Sequence, residues 1–164
     1  MKNLSWLVVL FFGVTALNAQ AFDGKGDSKF QIGASFQSNG TGISATFDRG
    51  LGENFSIGLS SGYVLGLNAD IDADFVDRIN LTARFNANIG SVLNLGDAVD
   101  IYPGLNLSLR QFGGHLGGRY FFSDGFGVFT EFSIPFAKYE NGTLSNEQLL
   151  NNQFIFGIGT VFNL

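Results

Sequence analysis

Three groupings of side chains in this sequence have the residue types for chemistry, and each makes its own demand on structure. Asp70-Ile71-Asp72-Ala73-Asp74 puts a carboxylate at every second position, the opening of a calcium loop. A full EF-hand loop needs Gly at its sixth position and Glu at its twelfth. Phe75 and Leu81 stand there instead. Asp70, Asp72 and Asp74 therefore give a weak, exposed cation site at most, against the plainer reading of an acidic, solvated loop. His115, Glu131 and a serine, Ser108 or Ser133, supply the groups of a hydrolase triad. Such groups act only when geometry puts them within hydrogen-bond reach of one another and of a substrate. The third grouping is ionic: Arg84, Arg110 and Arg119 with Asp100 and Glu131.

The elements that must hold these residues follow from composition and periodicity. The chain has 164 residues, enough for one domain. Hydrophobic residues make up 45% and charged residues 14%, where a soluble domain carries about 25% charged. Gly (23) and Phe (19) are abundant and Cys is absent. The lack of Cys excludes a disulfide scaffold, a zinc ribbon and a thiol nucleophile. A single histidine excludes a multi-His metal site. The net charge of −5 opposes nucleic-acid binding, which needs a basic footprint. No phosphate loop or dinucleotide fingerprint is present, so no cofactor is expected. Low charge with high Gly and Phe suits a chain whose exterior is not water.

The first segment reads as an address. Lys2 precedes an apolar run from Leu4 to Leu17, and Ala19-Gln20-Ala21 matches the A-x-A cleavage pattern. The run is shorter than the roughly 20 residues of a membrane-spanning helix. Residues 1–21 are thus assigned to a signal peptide and 22–164 to the exported domain, with the cut after Ala19, Gln20 or Ala21 left open.

Beyond that segment the dominant period is two. Phe30, Ile32, Ala34 and Phe36 alternate with Lys29, Gln31, Gly33 and Ser35; Ile43, Ala45 and Phe47 alternate with Ser44, Thr46 and Asp48. Six further runs behave alike, starting at Phe55, Ile79, Val99, Phe112, Phe126 and Phe154. Strands of this length match the roughly 9 to 11 residues that cross a bilayer at a tilt. An even count fits an all-β, eight-stranded antiparallel up-and-down transmembrane barrel. In the chosen registers no apolar-face position carries a charge. That fits lipid contact, because a lipid-facing Arg or Lys costs roughly 2 to 4 kcal/mol at the midplane.

The opposite face is polar: Gly, Ser, Asn and Thr, with Asp48, Arg84, Asp100, Arg110, His115, Arg119 and Glu131. A small barrel has its interior filled by side chains. The triad candidates then point into a packed lumen, so no catalysis is expected. Arg84, Arg110 and Arg119 are expected to pair with Asp100 and Glu131, since all five lie on consecutive strands that a meander makes neighbours. Ser145-Asn146-Glu147-Gln148 has capping-box spacing before Leu149 and Leu150, enough to start one helical turn in the last loop.

Gly117-Gly118-Arg119-Tyr120-Phe121-Phe122-Ser123-Asp124-Gly125-Phe126-Gly127-Val128-Phe129-Thr130-Glu131 resembles the sixth-to-seventh-strand hairpin of OmpX/OmpA-like small outer-membrane barrels. The end of the signal peptide, Asn18-Ala19-Gln20, resembles those of exported proteins of Bacteroidota, whose small barrels are mostly uncharacterised. The resemblance implies a bacterial outer-membrane location, contact with outer-membrane lipid and lipopolysaccharide, and assembly by the barrel-insertion machinery. One departure is the last residue, Leu164, where the family usually ends on an aromatic; Phe162 lies two positions earlier. The function expected is an integral barrel with a structural or surface-interaction role, its surface ligand unknown. The alternatives are a small pore and a soluble periplasmic lipophile-binding barrel.

Overall fold

A computed structural model describes residues 20–69, 71–139 and 145–164. Asp70 and residues 1–19, most of the expected signal peptide, lie outside these ranges. The order is β1 (Ser28–Gln37), β2 (Gly40–Gly50), β3 (Phe55–Leu67), α1 (Phe75–Arg78), β4 (Ile79–Ala87), β5 (Val99–Ser108), β6 (Gln111–Ser123), β7 (Phe126–Lys138), α2 (Asn146–Leu149) and β8 (Ile155–Asn163). Each strand pairs antiparallel with its neighbours, and β1 pairs with β8, so the sheet closes into an eight-stranded barrel. The expected fold class is the observed one. No helix among the described residues is long and apolar enough to cross a membrane.

Alternation fixes which way each side chain points, since neighbouring residues of a strand face opposite sides. Ile32, Phe36, Ile43, Ile57, Leu59, Leu81, Leu107, Leu116, Phe132 and Ile158 are exposed on the outside. Lys29, Gln31, Asp48, Ser56, Arg84, Asn86, Asp100, His115 and Arg119 are buried within. The distribution is that of a water-soluble protein turned inside out. Two charged strand residues, Arg49 and Lys138, are exposed, and each lies within one residue of its strand's end.

Outward aromatics gather at the two rims. At the end that carries the termini, Phe30, Phe162, Phe126, Phe122 and Tyr120 form a chain of contacts, with successive centroids 5.1–6.5 Å apart. At the other end Phe36, Phe156, Phe132 and Phe154 do the same, at 5.2–6.1 Å. Tyr and Trp rings favour such a level because one edge is apolar and the other wet; here Phe supplies most of the area.

The β4–β5 ladder is short, with paired positions only from Thr82↔Ser108 to Asn86↔Gly104. It stops beside Pro103, which has no N–H to give. Pairing is picked up again by Ile89 N–H to the Ile101 carbonyl at 2.9 Å. The second proline, Pro135, lies at a register shift in the β6–β7 pair.

Candidate functional site

The barrel places its chemistry-bearing residues in one layer across the lumen. Arg84 on β4 donates from Nη2 to Glu131 Oε2 on β7 at 2.7 Å and from Nη1 to Oε1 at 3.3 Å. This two-toothed contact is the strong geometry for an arginine with a carboxylate. Arg84 Nε also lies 3.3 Å from Asp48 Oδ1 on β2. The other oxygen of Asp48 accepts from Arg119 Nη2 on β6. Arg119 Nη1 reaches to 3.7 Å from Asp100 Oδ2 on β5, an ion pair longer than a hydrogen bond. The other Asp100 oxygen accepts the Gly90 N–H at 3.2 Å. Charges thus alternate through the layer: Glu131, Arg84, Asp48, Arg119, Asp100.

Aromatic and amide groups fill the space between them. Tyr102 is fully buried, with the Arg119 guanidinium 3.9 Å above its ring and its hydroxyl accepting from Gln31 Nε2 at 3.0 Å. Its ring occupies the space beside Gly117, where an added Cβ would fall 2.1 Å from Tyr102 Cζ. Gly104 makes the same room for His115, whose Cε1 would lie 2.4 Å from a Cβ there. Small residues on one strand thus accept large side chains from the next.

Two of the sequence expectations need correction. Arg110 is not part of the network. Strand β5 ends at Ser108, whose Oγ accepts the N–H groups of Arg110 and Gln111 at 3.2 and 3.1 Å. That turn takes Arg110 off the strand's parity. Its Nη2 donates to the Val76 carbonyl at 2.7 Å and to Asp77 Oδ1 at 3.3 Å, at the partly exposed loop end. The second correction is an omission: Asp48 is the bridge between Arg84 and Arg119. Its polar parity was readable, but β2 is not a neighbour of β4 to β7. Only closure into a narrow barrel brings residues from opposite walls together.

The triad candidates are placed as follows. His115 Nδ1 lies 2.7 Å from Asn106 Oδ1, and Nε2 lies 2.8 Å from Asn86 Oδ1 and 3.1 Å from Arg84 Nη2. Ser108 Oγ sits in the turn described above, and Ser133 Oγ accepts from Asn106 Nδ2 at 3.4 Å. Glu131 is committed to Arg84. The three groups share a layer but not a relay.

Asp72 and Asp74 are exposed and Asp70 lies outside the described residues. Among the described residues no three His, Cys, Asp or Glu side chains cluster as metal ligands would. The alternation has another use. Ile71 and Ala73, between the aspartates, turn inward onto Val64 and Leu150, with Leu67 against them. This apolar cluster caps the lumen at the loop end. Leu150 is held there by α2, whose Ser145 and Gln148 form the expected capping box. Between cap and charged layer lies a cavity of about 80 Å³, lined by hydroxyls and amides including Ser44, Thr46, Thr82, Asn106 and Ser133.

The opposite end has its own seal. Phe121 and Val161 point inward and pack with Ala21. Beside them Lys29 Nζ donates to both Asp27 oxygens at 2.5 and 2.6 Å and to Asn163 Oδ1 at 2.5 Å, 5.4 Å from the Phe121 ring centre. The expectation of a polar inward face did not include Val64, Phe121, Phe129 and Val161, all buried. Their only signal was an apolar residue on the polar parity.

Comparison with known proteins gives two findings. A family model described as "Family of unknown function (DUF6646)" matches residues 11–164. Among solved structures, the solution NMR structure of Outer Membrane Protein G from Pseudomonas aeruginosa matches with a TM-score of 0.50, over 87% of this chain and 99% of that one, at 13% identity. At that identity the likeness is one of fold. No curated protein matches the sequence.

Proposed function

The chain belongs to the DUF6646 family, and from that premise and the closed barrel we propose that it is an integral outer-membrane protein with a structural or surface-interaction role. In size it is of the OmpX/OmpA-like class, and the signal-peptide pattern fits a Bacteroidota source. One observation carries this reading. The outward face is apolar between two aromatic rims, while six charged strand residues, Lys29, Asp48, Arg84, Asp100, Arg119 and Glu131, face inward. In water that arrangement would expose the apolar face of every strand. In lipid it removes that face from water at roughly 25 cal/mol per Å². The soluble lipophile-binding alternative needs the reverse distribution.

The termini share one end because the strand number is even, and export across the inner membrane puts that end in the periplasm. The loops 68–78 and 139–154 then face outward with α1 and α2 on them. The charged layer opposes the pore alternative, since its paired side chains cross the lumen at mid-barrel. The charges of the lumen layer are paired within the protein, and on this reading the layer serves as a plug without catalysis. The partners on this reading are outer-membrane lipid, lipopolysaccharide and the barrel-insertion machinery, with any surface ligand meeting the outer loops.

Membrane fractionation with a detergent gel tests the proposal. Closed small barrels resist unfolding in cold detergent. The protein should sit in the outer-membrane fraction and run faster unheated than boiled. A periplasmic protein with a single mobility would contradict it.

A further inference from the structure

Apolar residues scattered singly on a surface are ordinary, but a cluster of them marks a contact. Apart from the C-terminal Leu164, the three most exposed large apolar side chains among the described residues are Leu109 at 91%, Val76 at 69% and Phe75 at 63%. All three lie at the loop end, in one sector. Phe75 and Val76 open α1, and Leu109 stands in the β5–β6 link. Arg110 joins the two through its 2.7 Å bond to the Val76 carbonyl.

Phe75 packs against the outer wall and not over the mouth of the barrel. Its ring meets that of Tyr63, with centroids 5.5 Å apart. Tyr63 has the outward parity of β3, beside Ile43 of β2 and Ile79 of β4. The segment therefore divides. Ile71 and Ala73 turn in over the lumen, Asp72 and Asp74 are exposed, and Phe75 continues the outer wall. The outer rim of Phe36, Phe156, Phe132 and Phe154 lies along β1, β7 and β8. Tyr63, Phe75, Val76 and Leu109 carry an apolar band over β3 to β6, up to the Phe112–Phe136 contact at 6.0 Å.

The backbone points the same way, because every carbonyl from Ala73 to Arg78 has a donor. Ala73 accepts from Arg78 Nε at 3.0 Å, and Asp74 from the Asp77 and Arg78 N–H groups at 3.1 and 3.2 Å. Phe75 accepts the Ile79 N–H, and Val76 accepts from Arg110. Asn151 Nδ2 reaches the Asp77 and Arg78 carbonyls at 3.4 and 3.2 Å. In water a one-turn helix can leave its last carbonyls to solvent. Lipid offers no donor, so the protein must meet each carbonyl at its level. A soluble partner would bring donors of its own and leave this saturation without a use.

We infer that α1 and Leu109 lie in the headgroup boundary of the outer leaflet and complete the outer rim over β3 to β6. This inference rests on the membrane reading above. Phe75, Val76 and Leu109 enter the acyl edge, where their apolar surface leaves water. Asp72 and Asp74 stay in the medium. The outward side of α1 is then a lipid contact and not a binding surface for a soluble ligand.

Tryptophan quenching in phosphatidylcholine vesicles tests this. The one tryptophan, Trp6, lies in the assigned signal peptide, so a tryptophan placed in the barrel reports its own position. Phe75→Trp, Asp72→Trp and the mid-strand Leu59→Trp are reconstituted with a nitroxide on the lipid, either just below the headgroup or near the bilayer centre. The shallow nitroxide should quench Phe75→Trp severalfold more than Asp72→Trp, and the central one should quench Leu59→Trp. Val76→Trp gives the same reading from the neighbouring position if Phe75→Trp does not fold. Quenching on α1 no stronger than at Asp72→Trp, with Leu59→Trp quenched, overturns the inference and leaves the membrane reading standing. A folded Leu59→Trp that neither nitroxide quenches overturns both.

Discussion

Arg84 and Arg110 carry the same charge, and each meets a carboxylate, yet the two pairs differ in kind. The Arg84–Glu131 pair has side chains 2% and 15% exposed and a two-toothed contact of 2.7 and 3.3 Å. The Arg110–Asp77 pair is 23% and 34% exposed, with one contact at 3.3 Å. Breaking a buried pair strands a charge away from water and costs about 3–5 kcal/mol. An exposed pair contributes about 0–1 kcal/mol. What separates them is position along the lumen axis: mid-barrel residues have protein on all sides, while those at the loop end have solvent on one.

That contrast predicts a ranked series, read as the temperature at which the fast-running unheated band is lost. Asp48→Asn should have the largest effect, since Asp48 faces two arginines and its loss leaves Arg119 with the 3.7 Å contact to Asp100. The expected loss is about 3–5 kcal/mol. Glu131→Gln comes next, on the order of 3 kcal/mol, because Asp48 still faces Arg84 and the adjoining cavity admits solvent. Asp77→Asn should cost less than about 1 kcal/mol. Equal temperatures for Asp48→Asn and Asp77→Asn would erase the distinction between the two regions. Glu131→Gln ranking above Asp48→Asn would move the centre of the network from β2 to β7.

How much of this was legible follows from the same geometry. Strand number, facing and closure were readable because alternation is local: Phe30 and Ile32 point out, and Lys29 and Gln31 in, whatever the rest of the chain does. The capping box of α2 was readable for the same reason, as Ser145 and Gln148 are three positions apart. The Arg84–Glu131 pair was expected from polar parity, although β4 and β7 are not paired strands and meet only across the lumen. Asp48 was not expected, because its partner Arg119 lies 71 positions away on the opposite wall. Arg110 was misplaced because one side-chain turn at Ser108 ends β5 two residues early, and a period-two reading carries the strand through it. The seals were hidden as well. Val64 and Val161 look like register noise until Ile71, Leu150 and Ala21 arrive from distant segments to cover them.

The central claim is that this charged layer, between its two apolar closures, stops the lumen. Conductance of the purified protein in a planar lipid bilayer tests it most directly. Wild-type protein should insert and show no steady large conductance, whereas Asp48→Asn should give intermittent openings as Arg119 is released. Stable open channels from the wild-type barrel would contradict the account and establish the pore reading in its place.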